Sequence, residues 1–351
     1  MPTQNAIVVT AIGKPLAHST RPMPQPSPTQ VQLRVTVAAL NPHDQKGRDI
    51  GLFIKENLPA VLANDVTGVV TIVGENVTRF NIGDHVFSQG NMTPDHSQKG
   101  LQQYVVVEEH ASSKVPDGFS DHDATTIPTN VIPAVVGFFD EINGLGIPAP
   151  WTEKAKTFDY AGTQLLIIGG GSNCGRFAVQ IAKLAGIGKI VVVGGREDQL
   201  KKFGATHIID RHGGNDVVLE RIRKIVGDDL VYAYDAVNHP SDQYLGINAL
   251  SNSKKGALAR LVFSIGEPDT SKILPKNAGY ELKNTFGSSH AKAELTTPFW
   301  KQLEGYLQKG EIVPLQYTAV NGLDLDKANE VLDAYRDGRP IGQTQFRISR
   351  L

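Results

Sequence analysis

The sequence predicts an α/β protein in which an irregular β-rich domain precedes a doubly wound parallel sheet. Three observations predict it. Roughly the first 120 residues supply short β-branched runs punctuated by Gly and Pro, with few helical patterns. The stretch 164–196 then reads as apolar strand, glycine turn, amphipathic helix and second apolar strand, a βαβ unit. From there to about Ser289, apolar runs alternate with amphipathic segments, the signature of strands and helices in a parallel sheet. At 351 residues the chain is also too long for one ordinary core, so more than one domain is expected.

Each element has a local reason. Residues 6–9 and 30–40 are strands; in the second, Val31, Leu33, Val35 and Val37 alternate with Gln32, Arg34 and Thr36. Between them the Pro-rich 21–28 is an extended connector, because Pro fixes φ and lacks an N–H. Asn41-Pro42-His43-Asp44 turns the chain, 61–73 is apolar and β-branched, Gly83-Asp84 leads into a further strand, and 104–107 is another. A helical segment interrupted at Pro128 and Pro133 spans 124–139. After the strand at 165–168, Phe177, Ala178, Ile181, Leu184 and Ala185 share one helical face. Strands at 190–193, 207–209, 230–236 and 257–265 alternate with helices at 198–203, 217–226 and 244–250. The tail carries helices at 298–309 and 326–337 and a strand at 343–348, and is expected to return to the first domain. The predicted division is therefore 1–123 with 290–351, and 124–289.

Composition narrows the function. With 40% hydrophobic and 20% charged residues the chain has an ordinary globular balance. A net charge of −1 and a pI near 6.8 argue against nucleic acid or an anionic membrane as partner. The N-terminus shows no secretory pattern, no apolar run approaches the roughly 20 residues that span a bilayer, and the single cysteine, Cys174, excludes an internal disulfide. A cytoplasmic location is expected.

The glycine turn carries the first chemistry. Gly170, Gly171, Ser172, Asn173, Cys174 and Gly175 depart from Gly-x-Gly-x-x-Gly, reading Gly-x-Ser-x-x-Gly. Both flanking strands and the helix stand where a pyrophosphate site needs them, with backbone N–H groups and the helix start facing the anion. A free ribose 2′-hydroxyl is usually held by an acid at the end of the second strand. Here Val193 leads into Gly194-Gly195-Arg196, and Arg211 follows the third strand. Guanidinium pairs with phosphate oxygens, so the two arginines favour NADPH over NADH. One cysteine and ten histidines without metal-ligand spacing speak against zinc. No Gly-x-Ser-x-Gly elbow is present, and Ser172 is read as a phosphate hydrogen-bond donor.

Asn41-Pro42-His43-Asp44, Leu62-Ala63-Asn64-Asp65-Val66-Thr67-Gly68, Gly83-Asp84-His85-Val86 and the loop 169–175 occur in an order that resembles the medium-chain dehydrogenase/reductase superfamily. Asn-Pro-x-Asp and the absent zinc ligands resemble its zinc-independent quinone and enoyl reductases. The segment 166–238 looks closest to the fungal ToxD-like group of secondary metabolism, which includes trans-acting enoyl reductases of polyketide pathways. The resemblance implies a GroES-like first domain, a Rossmann second domain and an active site in the cleft between them. It implies that Asn41 and Asp44 face the nicotinamide and that Asn130 and Val131 contact its ribose. Gly171 to Cys174 would take the pyrophosphate and part of the 2′-phosphate, and Val237 and Asn238 would lie beside the cofactor. Ser264, Ile265, Gly287 and Ser288 would belong to loops over the nicotinamide amide. Gln343 stands where many relatives have a lysine. Several enoyl reductases place a tyrosine proton donor shortly after Asn-Pro-x-Asp. The stretch from Gly47 to Phe53 has none, leaving solvent, Lys46 or Asp49 as sources, or a quinone-like acceptor.

The function expected is NADPH-dependent reduction of an activated carbon–carbon double bond, in an enone or enoyl thioester, with hydride going to the β-carbon and no metal. Quinone reduction is the nearest alternative. A non-catalytic NADPH-binding partner or sensor is the alternative of another class. The expected partners are a small molecule and, in the trans-acting version, a polyketide synthase carrier domain; the chain itself would be a monomer or homodimer.

Overall fold

The computed structural model describes residues 2–263 and 266–349. The first third contains β1 (Thr3–Val9), β2 (Ala17–Pro22), β3 (Gln30–Leu40), α1 (Pro42–Ile50), β4 (Ala60–Val61), β5 (Asp65–Val73), β6 (His85–Gln89), β7 (Tyr104–Glu108), β8 (Ser112–Lys114) and α2 (Asp121–Thr125). The middle contains α3 (Pro128–Phe139), β9 (Gln164–Ile168), α4 (Asn173–Leu184), β10 (Lys189–Val193), α5 (Glu197–Phe203), β11 (His207–Ile209), α6 (Asn215–Val226), β12 (Tyr232–Asp235), α7 (Tyr244–Ala249), β13 (Gly256–Arg260) and β14 (Tyr280–Asn284). The last part contains α8 (Ala293–Gln308), β15 (Tyr317–Asn321), α9 (Leu325–Arg336) and β16 (Gln343–Arg347).

The middle strands form a parallel sheet in the order β11-β10-β9-β12-β13-β14. This is the doubly wound arrangement, and with the β-rich first third it makes a mixed α/β chain. The strand order reverses between β9 and β12, where such sheets open a ligand crevice beyond their carboxyl ends. The other strands form a three-stranded sheet, β2-β1-β4, and a mostly antiparallel sheet, β15-β16-β3-β5-β6-β8, with β7 also paired to β3. Thr344 to Arg347 of β16 pair antiparallel with β3, while Phe299 and Trp300 of α8 lie in the core that α3, β9 and α4 share.

Several sequence expectations need correction. Residues 42–50 are helix, not turn: Pro42 is pre-set for the first helical position and Asp44 accepts from the backbone N–H of Asn41 at 2.8 Å. Gly51, at φ 76°, ends the helix in a left-handed conformation. The run 61–73 is broken at Ala63, whose φ is 74°. Gln32 and Thr36 are buried like their apolar neighbours, because β3 is covered on both faces and its polar groups find Pro24 O and Thr67 O. The Pro-rich connector begins as β2, and β8, β14 and β15 were not foreseen. The strand expected over 257–265 stops at Arg260, and its last predicted residue, Ile265, lies outside the described residues.

Candidate active site in the interdomain cleft

The glycine turn is built by close approach. Beyond Ile168, Gly169 takes φ 90°, and both its N–H and that of Gly170 donate to Val193 O at 3.1 Å. A Cβ on Gly175 would stand 2.1 Å from Gly169 O, so only glycine lets α4 start this near the strand end. Ser172 caps the helix: its Oγ accepts from Gly175 N at 3.0 Å and donates to Gly169 O at 2.9 Å. The hydroxyl proton read as a phosphate donor is thus engaged inside the turn, and Ser172 acts as a cap. What the turn offers an anion is its exposed Gly171 backbone and the first N–H groups of α4, which lack intrahelical partners.

Three arginines surround this opening. Arg196, the residue before α5, is exposed and pairs with Asp198, Nη2 to Oδ2 at 2.8 Å. Arg211 lies over Gly194, where an added Cβ would meet its Cδ at 3.3 Å. The third, Arg176 in the first turn of α4, was missed by sequence reasoning. It is half-buried, its Nε has no hydrogen-bond partner, and burial together with the Arg196 charge lowers its pKa. A desolvated guanidinium with an unpartnered donor, beside a second arginine and a helix start, fits an anionic group. On that observation the residues fit the phosphates of a dinucleotide. An arginine in the first turn of this helix was the available signal, since it opposes the dipole unless an anion is bound.

The facing wall is polar and buried. Asn41 Nδ2 donates to Asp65 Oδ2 at 2.7 Å, and Thr129 N donates to Asp65 Oδ1 at 2.6 Å. Asp44 Oδ1 receives Ala63 N at 2.9 Å. His43 Nε2 approaches Asn64 Oδ1 at 3.4 Å, and Asn64 Nδ2 donates to Gly90 O at 3.1 Å. Burial pushes the Asp65 carboxyl up to about 6, opposed by Thr129, Asn41 and His43. The two walls are close: desolvation and the charge of Asp65 push the half-buried Cys174 thiol up to about 12.

The other predicted residues differ in what they touch. Asn130 donates through Nδ2 to Thr126 O at 2.9 Å, while the Val131 side chain is fully buried in the core and presents nothing to a ligand. Val237 covers Gly169, and Asn238 N donates to Asp235 Oδ1 at 2.9 Å, leaving Asp235 Oδ2 buried without a partner. Gly287 O accepts from Gln89 Nε2 at 2.9 Å, and Ser289 N donates to Gln89 Oε1 at 2.8 Å, which ties this loop to β6; Ser288 Oγ accepts from Ala291 N. Lys46 is half-buried on α1 outside the buried polar wall. Asp49 is held by Arg48 at 2.6 Å rather than lying in a loop. Gln343, at the start of β16, is buried with both amide atoms unpartnered. Ser264 and Ile265 lie outside the described residues. Among the described residues no group of three His, Cys, Asp or Glu stands together as a metal site, and no helix is long and apolar enough to cross a membrane.

A parallel doubly wound sheet whose glycine turn faces a buried polar wall from a GroES-like unit defines a nicotinamide-dependent oxidoreductase. The alcohol dehydrogenase GroES-like domain matches residues 27–117, and the zinc-binding dehydrogenase domain matches residues 174–277. The chain is 31% identical over 243 residues to the trans-enoyl reductase tazE of Aspergillus terreus, covering 66% of this chain and 76% of that protein. It is 28% identical over 352 residues to the dehydrogenase orsE of Emericella nidulans, covering 96% of this chain and 97% of that one. Its fold is similar to that of a quinone oxidoreductase from Pseudomonas syringae pv. Tomato DC3000, with a TM-score of 0.74 at 20% identity over 98% of this chain and 99% of the other. The chain belongs to the medium-chain dehydrogenase/reductase family.

Proposed function

We propose that the protein is an NADPH-dependent, zinc-independent reductase of activated carbon–carbon double bonds, of the fungal ToxD-like enoyl reductase group. The observation that carries this reading is the makeup of the polar wall. Asn41 and Asn64 are amides, Asp44 is occupied by two backbone N–H groups, and Asp65 is occupied by Asn41 and Thr129. Amides are poor zinc ligands, and these carboxylates are already committed. Carbonyl reduction needs strong stabilisation of a localised alkoxide, whereas conjugate reduction spreads charge over an enolate that hydrogen-bond donors can hold. The similarity to a trans-enoyl reductase supports the same class of substrate.

When bound, reduced nicotinamide supplies hydride to the β-carbon. The chain's part is to grip and to orient. The α4 start and Arg176 would hold the pyrophosphate, Arg196 and Arg211 would hold the 2′-phosphate, and Val237 with the 287–288 loop would border the nicotinamide. Residues 1–123 with 290–351 form the substrate side in this reading, and 124–289 the cofactor side; pairing of β16 with β3 supports it, while α8 packs against both. Turnover with NADPH across a panel of enones, enoyl thioesters and quinones tests the reading. Reduction of the first two classes supports it. Quinone-only turnover favours the quinone reductase alternative, and tight NADPH binding without turnover favours a binding protein. Strong preference for a carrier-bound thioester would add the synthase partner.

A further inference from the structure

Lys99 precedes β7 and has no role in the reading so far. Only 3% of it is exposed. Its Nζ donates to Asn64 Oδ1 at 2.6 Å and approaches Met92 Sδ at 3.2 Å. An ammonium has three N–H donors, so one remains for a ligand. Lys99 also forms part of a cavity of about 10 Å³ whose walls include His43, Asn64, Met92, Leu52 and Phe53. That is room for about one water. Phe53, at φ 65°, lines this space and packs against Phe286, ring centroids 5.5 Å apart. The space admits one water and no substrate atom, so this buried cation, on the polar wall that carries Asp65, reaches a conjugated carbonyl in the cleft through a water held there.

We propose that Lys99 supplies, through one water, the proton that the α-carbon takes up after hydride addition, a role that rests on the double-bond reductase reading above. Hydride from the nicotinamide forms the β C–H bond, and the π pair moves to the carbonyl oxygen as an enolate. The enolate pair then takes a proton from the water in this space while that water takes one from Nζ; the N–H bond breaks, its pair stays on nitrogen, the water is regenerated, and a neutral amine remains for solvent to reprotonate. The charged and titratable groups around Nζ are Asp44 and His43 on α1, Asp65 on β5, His96 in the preceding loop and His290 beyond β14. Burial brings the ammonium down to about 8, with Asp44 and Asp65 opposing a further fall. An acid in that range gives up its proton near neutral pH and recovers it from solvent. The missing tyrosine after Asn-Pro-x-Asp is thereby replaced from a different segment.

The test uses the full chain, NADPH and an α-methyl enoyl thioester, comparing wild type with Lys99→Met and Lys99→Arg. Guanidinium keeps the charge but does not release its proton. In wild type, turnover falls above about pH 8 and the product has one configuration at the α-carbon. Both variants are expected to lose turnover by roughly 10²-fold or more, to give mixed α-configuration and to lose that basic limb. NADPH affinity and melting temperature should stay near wild type. Should Lys99→Met not fold, Lys99→Arg carries the same test. Wild-type turnover and configuration in either variant would overturn the assignment, as would a loss of NADPH binding that parallels the lost turnover, which marks a structural role. A wild-type protein that reduces no double bond removes the reductase reading itself. Active wild type with unaffected variants removes only Lys99.

Discussion

Arg196 shows what a single side chain decides in this fold. It follows the second strand of the βαβ unit, where a carboxylate would hold a 2′-hydroxyl, and its present partner, Asp198, is exposed, so that ion pair contributes little and yields readily to a phosphate. Arg196→Asp should therefore weaken NADPH by at least tenfold, with little change for NADH, in a binding titration. Equal losses would mean that Arg196 does not meet the phosphate. Arg176→Ala is expected to weaken both cofactors, because it faces the shared part near the α4 start. Asp65 gives a pH signature. Between its ordinary 3.8 and about 6 the folded protein keeps a proton there that the unfolded chain has released. Its contribution to stability accordingly falls as pH rises through that window. Relative to wild type, Asp65→Asn should gain stability between pH 4 and 7, by up to about 3 kcal/mol at 1.36 kcal/mol per unit. A thermal melt series with the opposite slope would contradict the assignment. At this scale the sequence marked Arg196 by its residue type and its place after the second strand, whereas Asn41 came only with the family resemblance. It was silent on Lys99, whose importance comes from Asn64 and Met92 meeting it across the fold.

In the proposed reading, cofactor binding rests on the glycine turn with its helix. Gly175 and Gly171 look alike in sequence yet have different surroundings. Gly175→Ala drives a Cβ into Gly169 O, whereas Gly171→Ala meets nothing nearer than Gly195 Cα at 3.3 Å. The first should lower stability by about 1–3 kcal/mol and weaken both cofactors. The second should leave the melting temperature nearly unchanged and act mainly on cofactor affinity, through the exposed loop backbone. Equal melting temperatures for the two variants would contradict the close-packing argument. The parallel sheet was legible because its buried strands are continuous apolar runs closed by glycines. Helix α1 was not: its polar residues hide the periodicity, and only Pro42, Asp44 and Gly51 mark its ends. The edge strands β2, β14 and β15 were missed because their residues are half exposed and lack a clean alternation.

The two units share an apolar core, where Phe299 and Trp300 of α8 pack with α3, β9 and α4, and are joined by specific contacts as well. Gln89 reaches from β6 to the backbone of 287 and 289, Phe53 touches Phe286, and the Asp65 charge acts on Cys174. Each joins residues far apart in sequence, which is why the site could be assembled from a family resemblance but not from spacing. The central claim is that the cleft transfers hydride to a carbon–carbon double bond. The most direct test supplies NADPH deuterated at the transferred position together with an enone or enoyl thioester, and locates the label by NMR. The expected product is saturated, with deuterium on the β-carbon and the carbonyl intact. Deuterium on a new alcohol carbon, or cofactor bound without any transfer, would contradict it.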